Sequence, residues 1–118
     1  MQGKFRFDYD YAEDSLFMYN EKKKSGGSVE LGELVIDLDR AGNVAALEIS
    51  GASKYLSELT GRKLSRAQLK KMDEAAITVN AKKGTIIIKI FLPIENEKVP
   101  ATIAVQNMNY NSPALAHA

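Results

Sequence analysis

Carboxylates gather in the first half of this sequence, where residues 1–50 hold ten of the fifteen. Asp8, Asp10, Glu13 and Asp14 fall within one short stretch, and oxygen donors at that density could hold Ca²⁺ or Mg²⁺. Asp8 and Asp10 alternate with aromatic residues, however, which places both on the solvent face of a strand, and Asp14 reads as a side-chain cap on a turn. A second acidic stretch resembles an EF-hand loop, with Asp37, Asp39, Gly42 and Glu48 at its first, third, sixth and twelfth positions. The fifth position is Ala41, which offers no side-chain oxygen. The flanking residues alternate with period two, where an EF-hand requires helices, and a hairpin would carry Glu48 away from the turn. No metal site is expected. A metal-dependent enzyme built on Asp8, Asp10, Asp14, Asp37 or Asp39 would require the two hairpins to converge.

Other catalytic groups are scarce. The chain has no cysteine, which removes thiolate nucleophiles and thiolate metal sites. Its one histidine, His117, is the penultimate residue, so a Ser–His–Asp arrangement cannot be assembled within one chain. No catalytic residue and no cofactor are expected. Arg62, Lys63, Arg66, Lys70 and Lys71 crowd one region, yet no aromatic side chain lies among them for base stacking, and they read as a solvated helix face. Lys22, Lys23 and Lys24 read as a loop tip, and the following Gly26-Gly27 lacks the Lys-Ser/Thr of a phosphate-binding P-loop. The net charge of +1 argues against a dedicated nucleic-acid binder. It conceals an asymmetry: residues 1–50 hold ten acidic and six basic side chains, residues 51–118 five and ten. Such a split can steer association.

With 118 residues, 45% hydrophobic and 26% charged, the chain has the profile of one globular domain. No apolar run approaches the roughly 18 residues of a transmembrane helix, and residues 1–10 lack the apolar core of a signal peptide. A cytoplasmic location is expected. Phe5, Phe7 and Tyr9 alternate with polar residues, residues 11–14 turn, and Leu16–Tyr19 returns, which predicts a hairpin. Residues 20–28 read as a flexible loop. Leu34, Ile36 and Leu38 form a second alternating run, Arg40–Asn43 turns, and Val44–Ile49 completes a second hairpin. Ala52, Tyr55, Leu56 and Leu59 give a helical stripe closed by Gly61. Ser65–Gln68 fits a capping box, with Leu64 and Leu69 as its hydrophobic staple. Ile77 and Val79 lead to a loop over 80–84, Thr85–Leu92 forms a strand ending at Pro93, and Ala101–Gln106 forms the last strand after a loop containing Pro100.

Thr85–Leu92 carries the strongest functional signal. Ile86, Ile88, Ile90 and Leu92 share one face, while Ile87 and Phe91 place large apolar groups on the other. Either a helix or another subunit must cover that second face. With only two short helices available, a subunit contact through Ile87 and Phe91 is the expectation.

Two stretches carry a family resemblance. Tyr9-Asp10-Tyr11-Ala12-Glu13-Asp14-Ser15-Leu16-Phe17-Met18 resembles the opening signature of domain-of-unknown-function family 2283. Asp37-Leu38-Asp39-Arg40-Ala41-Gly42-Asn43-Val44, continuing to Leu47-Glu48-Ile49, resembles its second, which leads into a short helix. Ala46 departs from the family's usual glycine. The resemblance covers about residues 4–58 and implies a small prokaryotic protein of unassigned activity. Some members are encoded beside small toxin-like proteins, which implies an antitoxin-like regulator with a small protein partner as an alternative. No residue inherits a role from it.

The expected architecture is α+β, with antiparallel β-hairpins forming a sheet and two short helices packed on one face. A single domain spans 1–107: the family-like hairpins and first helix over 4–58, then a second helix and C-terminal strands over 59–107. A flexible tail over 108–118 follows. The expected function is a non-catalytic interaction or structural module that self-associates as a dimer or higher homo-oligomer.

Overall fold

The computed structural model describes residues 2–72, 74–82 and 85–106. The chain is α+β. Eight antiparallel strands follow the order β3-β4-β5-β2-β1-β6-β7-β8. They are β1 (Gln2–Asp10), β2 (Ser15–Tyr19), β3 (Gly27–Leu31), β4 (Leu34–Leu38), β5 (Val44–Ser50), β6 (Glu74–Lys82), β7 (Thr85–Ile94) and β8 (Glu97–Gln106). Two helices, α1 (Ala52–Thr60) and α2 (Arg66–Lys70), separate β5 from β6. Strand β1 links the two parts of the sheet. Its second half pairs with β2 through Arg6↔Tyr19 to Asp10↔Ser15, and its first half pairs with β6 through Gln2↔Thr78 to Arg6↔Glu74.

Period-two alternation sets which face is buried. Leu16 and Met18, Leu34 and Ile36, Leu47 and Ile49, and Ile88, Ile90 and Leu92 are all fully enclosed on the inner face. α1 buries Ala52 and Leu56 against this core, and the staple residues Leu64 and Leu69 join it. Helix α1 packs against both β5 and β8, and α2 against β1. The sheet therefore wraps around the helices, which line one face only. Gly61 closes α1 at φ 71°, donating its N–H to the Ser57 carbonyl, a backbone geometry that favours glycine. α2 has the expected capping box, with Ser65 and Gln68 exchanging hydrogen bonds.

Several expectations need correction. The loop expected over 20–28 holds for residues 20–26, but its last two residues open strand β3, which pairs with β4 from Gly27↔Leu38 to Leu31↔Leu34. Only Val29 of β3 is buried, and one buried residue gives an edge strand almost no apolar periodicity. β6 runs to Lys82, so part of the expected loop over 80–84 is strand. β7 passes through Pro93 to Ile94: β6 pairs only as far as Phe91, so Pro93 is paired on one side alone, with Lys98 of β8. Pro100 lies within β8 rather than before it, on an edge strand, where a missing N–H is tolerated. Between Asp37 and Leu38 the β4–β5 register slips, leaving Ala45 as the extra residue of a bulge. The tail over 108–118 lies outside the described residues, as does His117. Among the described residues no helix is long and apolar enough to cross a membrane.

Candidate functional site

The acidic residues do not converge on a cation. Asp10 accepts the backbone N–H groups of Ala12 and Glu13 at 3.0 and 3.1 Å and closes the first hairpin turn. The turn cap is thus Asp10, the residue expected on an open strand face. Asp14, expected to cap that turn, instead reaches across the fold. It adopts φ 52°, is only 6% exposed, and sits at the N-terminus of α1. There its carbonyl accepts the Ala52 N–H at 2.9 Å, and its carboxylate accepts the Ser53 N–H at 3.0 Å and the Ser53 hydroxyl at 2.7 Å. Helix α1 has no cap from its own Gly51. Asp14 supplies one from the hairpin, satisfying helix-terminal N–H donors with a negative charge.

Tyr9 and Arg66 complete this cluster. The Tyr9 hydroxyl donates to Asp14 at 2.5 Å. The Arg66 guanidinium lies 4.0 Å from the carboxylate and donates to the Tyr11 and Ala12 carbonyls at 3.1 and 3.2 Å. Lys70 stacks its ammonium over the Tyr11 ring, 5.2 Å from the centroid. Burial works to raise the Asp14 carboxyl, but the hydrogen bonds from Tyr9 and Ser53, with Arg66 nearby, hold it below the usual carboxylate range. Burial, and then the hydrogen bond to Asp14, push the Tyr9 hydroxyl well above its ordinary value. An ionised acid with a neutral tyrosine against a helix terminus is a structural joint.

The second acidic stretch behaves similarly. Asp39 accepts the N–H groups of Ala41 and Asn43, both at 2.9 Å, and fixes the β4–β5 turn. Asp37 takes the Ser28 hydroxyl across the β3–β4 pair. Glu48 stands on β5 opposite Val35 and away from the turn, so the EF-hand spacing builds no cage. Among the described residues no group of three acidic or histidine side chains could hold a metal ion.

The basic residues 62–71 are less free than expected. Arg66 and Lys70 anchor α2 to the first hairpin, and Arg62 meets Glu97 of β8 at 2.6 Å.

Ile87 and Phe91 stand together on the outer face of β7, each half-buried, with exposed Lys89 between them. Phe91 is flanked by Ala76 of β6 and Pro100 of β8, Ile87 by Asn80 and Ala104. The buried residues of the helices, Ala52, Leu56 and Leu69, pack into the core on the opposite, inner face with Ile88, Ile90 and Leu92. The same face of β2 carries Phe17 and Tyr19, whose rings stack with centroids 5.2 Å apart. Asp8 and Glu48 flank Phe17 from β1 and β5. The β2 pair went unnoticed in the sequence, although Phe17 and Tyr19 alternate with buried Leu16 and Met18 as Ile87 and Phe91 do with theirs.

The family described as "Protein of unknown function (DUF2283)" matches residues 6–53, which run from β1 to the start of α1 and include Tyr9, Asp14, Asp39 and Ser53. An uncharacterised protein of Methanocaldococcus jannaschii is 29% identical over 110 residues, 90% of this chain and 89% of that protein. A protein of Methanosarcina mazei named as a putative hypoxanthine phosphoribosyltransferase is 26% identical over 106 residues, 88% of this chain and 81% of its own length. No solved structure matches the chain.

Proposed function

We propose that this chain is a non-catalytic interaction module that self-associates through the outer face of its sheet, centred on Ile87 and Phe91. The observation that carries this reading is the double-sided apolar character of β7. Its inner residues are consumed by the core, and its outer pair stands on a face the helices leave open.

Charge selects the occupant. The outer residues of β7 and β8 contribute Lys89 and Lys98 with no carboxylate among them, whereas the aromatic pair on β2 is bordered by Asp8 and Glu48. A second copy related by a two-fold axis would set the basic, apolar half of one protomer against the acidic, aromatic half of the other, and the reverse. Pro100 in the edge strand β8 disfavours the competing edge-to-edge pairing.

The name of the Methanosarcina relative raises a transferase reading. Such chemistry needs an open anion cradle and free carboxylates for a metal. In this chain the N-terminus of α1 is already filled by the Asp14 carboxylate, and Asp10, Asp37 and Asp39 are each held by hydrogen bonds. These observations favour a binding role.

Charge reversal tests the arrangement. Lys89→Glu should weaken association, and adding Glu48→Lys in the same chain should restore it. Association indifferent to both changes would contradict the two-fold pairing. A wild-type chain that is monomeric alone would transfer the acidic half to the alternative reading, an antitoxin-like contact with a small basic protein.

A further inference from the structure

The β2–β3 connection (residues 20–26) and the β4–β5 turn (residues 39–43) close on each other. Gly26 donates its N–H to the Leu38 carbonyl at 2.6 Å. A Cβ at Gly26 would lie 3.0 Å from the Arg40 backbone nitrogen and 3.2 Å from the Asp39 carbonyl carbon. A glycine therefore permits this approach. Between the two segments lies an open cleft of about 620 Å³, lined by Lys22, Lys23, Lys24, Ser25, Asp39 and Arg40.

Four cations thus face one carboxylate. Asp39 pairs with Lys23 at 3.6 Å while its other oxygen is fixed by the turn N–H groups. Among the described residues, Lys22, Lys24 and Arg40 have no carboxylate partner. The volume falls in the range of small-molecule sites, roughly 300–1,000 Å³, but those are mostly apolar and this lining is mostly charged.

We infer that this cleft binds an oligophosphate group, holding it by charge without reading an attached base. Arginine offers a fork of N–H donors matched to phosphate oxygens, and lysines add point charges around it. Three unpaired cations on one rim repel each other in the free protein. A ligand with a single negative charge can neutralise only one of them, whereas an oligophosphate presents several charges along one short chain. No aromatic side chain lines the cleft, so it offers no aromatic platform for a base.

Calorimetric titration of the full chain with tripolyphosphate tests the inference. Saturable binding that weakens steeply with added salt is expected. Arg40→Ala should weaken it by about tenfold or more, the loss expected for a charge-assisted contact. Lys63→Ala, which removes the same charge from the α1–α2 connection, should leave it within about twofold. Gly26→Ala should weaken binding with every charge retained. A nucleoside triphosphate should bind no more tightly than tripolyphosphate. Equal losses in Arg40→Ala and Lys63→Ala, or no saturable binding at millimolar ligand, would overturn the inference. So would much tighter binding of the nucleotide, or binding of single-stranded RNA where tripolyphosphate fails. If Gly26→Ala does not fold, the comparison of Arg40→Ala with Lys63→Ala decides alone.

Discussion

The carboxylate of Asp14 accepts the backbone N–H of Ser53 at 3.0 Å, across 39 positions of the chain. A residue in the first hairpin turn thereby caps a helix that begins after the fifth strand. Asp14→Ala should remove the cap and strand the Tyr9 hydroxyl and Ser53 N–H, costing about 3 kcal/mol in urea unfolding. Asp14→Asn keeps some acceptor capacity and should cost less. A loss under about 1 kcal/mol for the alanine variant would show that the joint contributes little.

Arg66 should matter less than its position suggests. Its guanidinium is 4.0 Å from Asp14 and its side chain is 47% exposed, so solvent screens the pair. A double-mutant cycle between Arg66→Ala and Asp14→Ala should give a coupling below about 1 kcal/mol. Most of the Arg66→Ala loss should come from the Tyr11 and Ala12 carbonyls it leaves.

Acid should loosen the fold. Asp14 and Asp39 both stand below the ordinary carboxylate value of 3.8 in the folded chain. Burial opposes this for each, but the hydrogen bonds to Tyr9 and Ser53, and to the Asn43 and Ala41 N–H groups, outweigh it. Their stabilisation is complete above the unfolded value and is lost as pH falls through the folded one. Urea midpoints should therefore hold down to about pH 5 and drop as pH falls through and below 3.8, and Asp14→Asn should flatten that decline. Tyr9 acts at the other extreme. Its raised value gives stability that is full below the ordinary tyrosine value of 10.0 and is lost as pH climbs beyond it.

Neighbouring positions on β7 should separate stability from assembly. Ile88 is fully buried, and Ile88→Ala should cost about 3 kcal/mol through lost burial and the cavity left behind. Ile87→Ala should cost well under half of that within the protomer, while weakening association. Thermal melts and light scattering on the two variants check both halves. Equal effects on stability would mean that Ile87 belongs to the core.

The sequence was most legible where a segment carried its own signal. The alternation of Phe5–Tyr9 and Leu34–Leu38, the stripe of α1 and the Ser65–Gln68 capping box each depend on residues close in the chain. What could not be read depended on partners elsewhere. β3 is an edge strand with one buried side chain, so its existence rests on the ladder with β4. Asp10 takes over the turn cap expected of Asp14 because the N-terminus of α1, far off in sequence, claims the Asp14 carboxylate. The cleft at Lys22–Lys24 needs Arg40 to close it, and only Gly26 hints that the two segments touch.

Sedimentation equilibrium of the full chain at micromolar concentrations, alongside Phe91→Asp, tests the proposed self-association most directly. The wild-type chain should show a concentration-dependent mass of two or more protomers. Phe91→Asp should sediment as a single protomer while keeping its melting temperature. A wild-type mass of 13.0 kDa at every concentration would contradict the account.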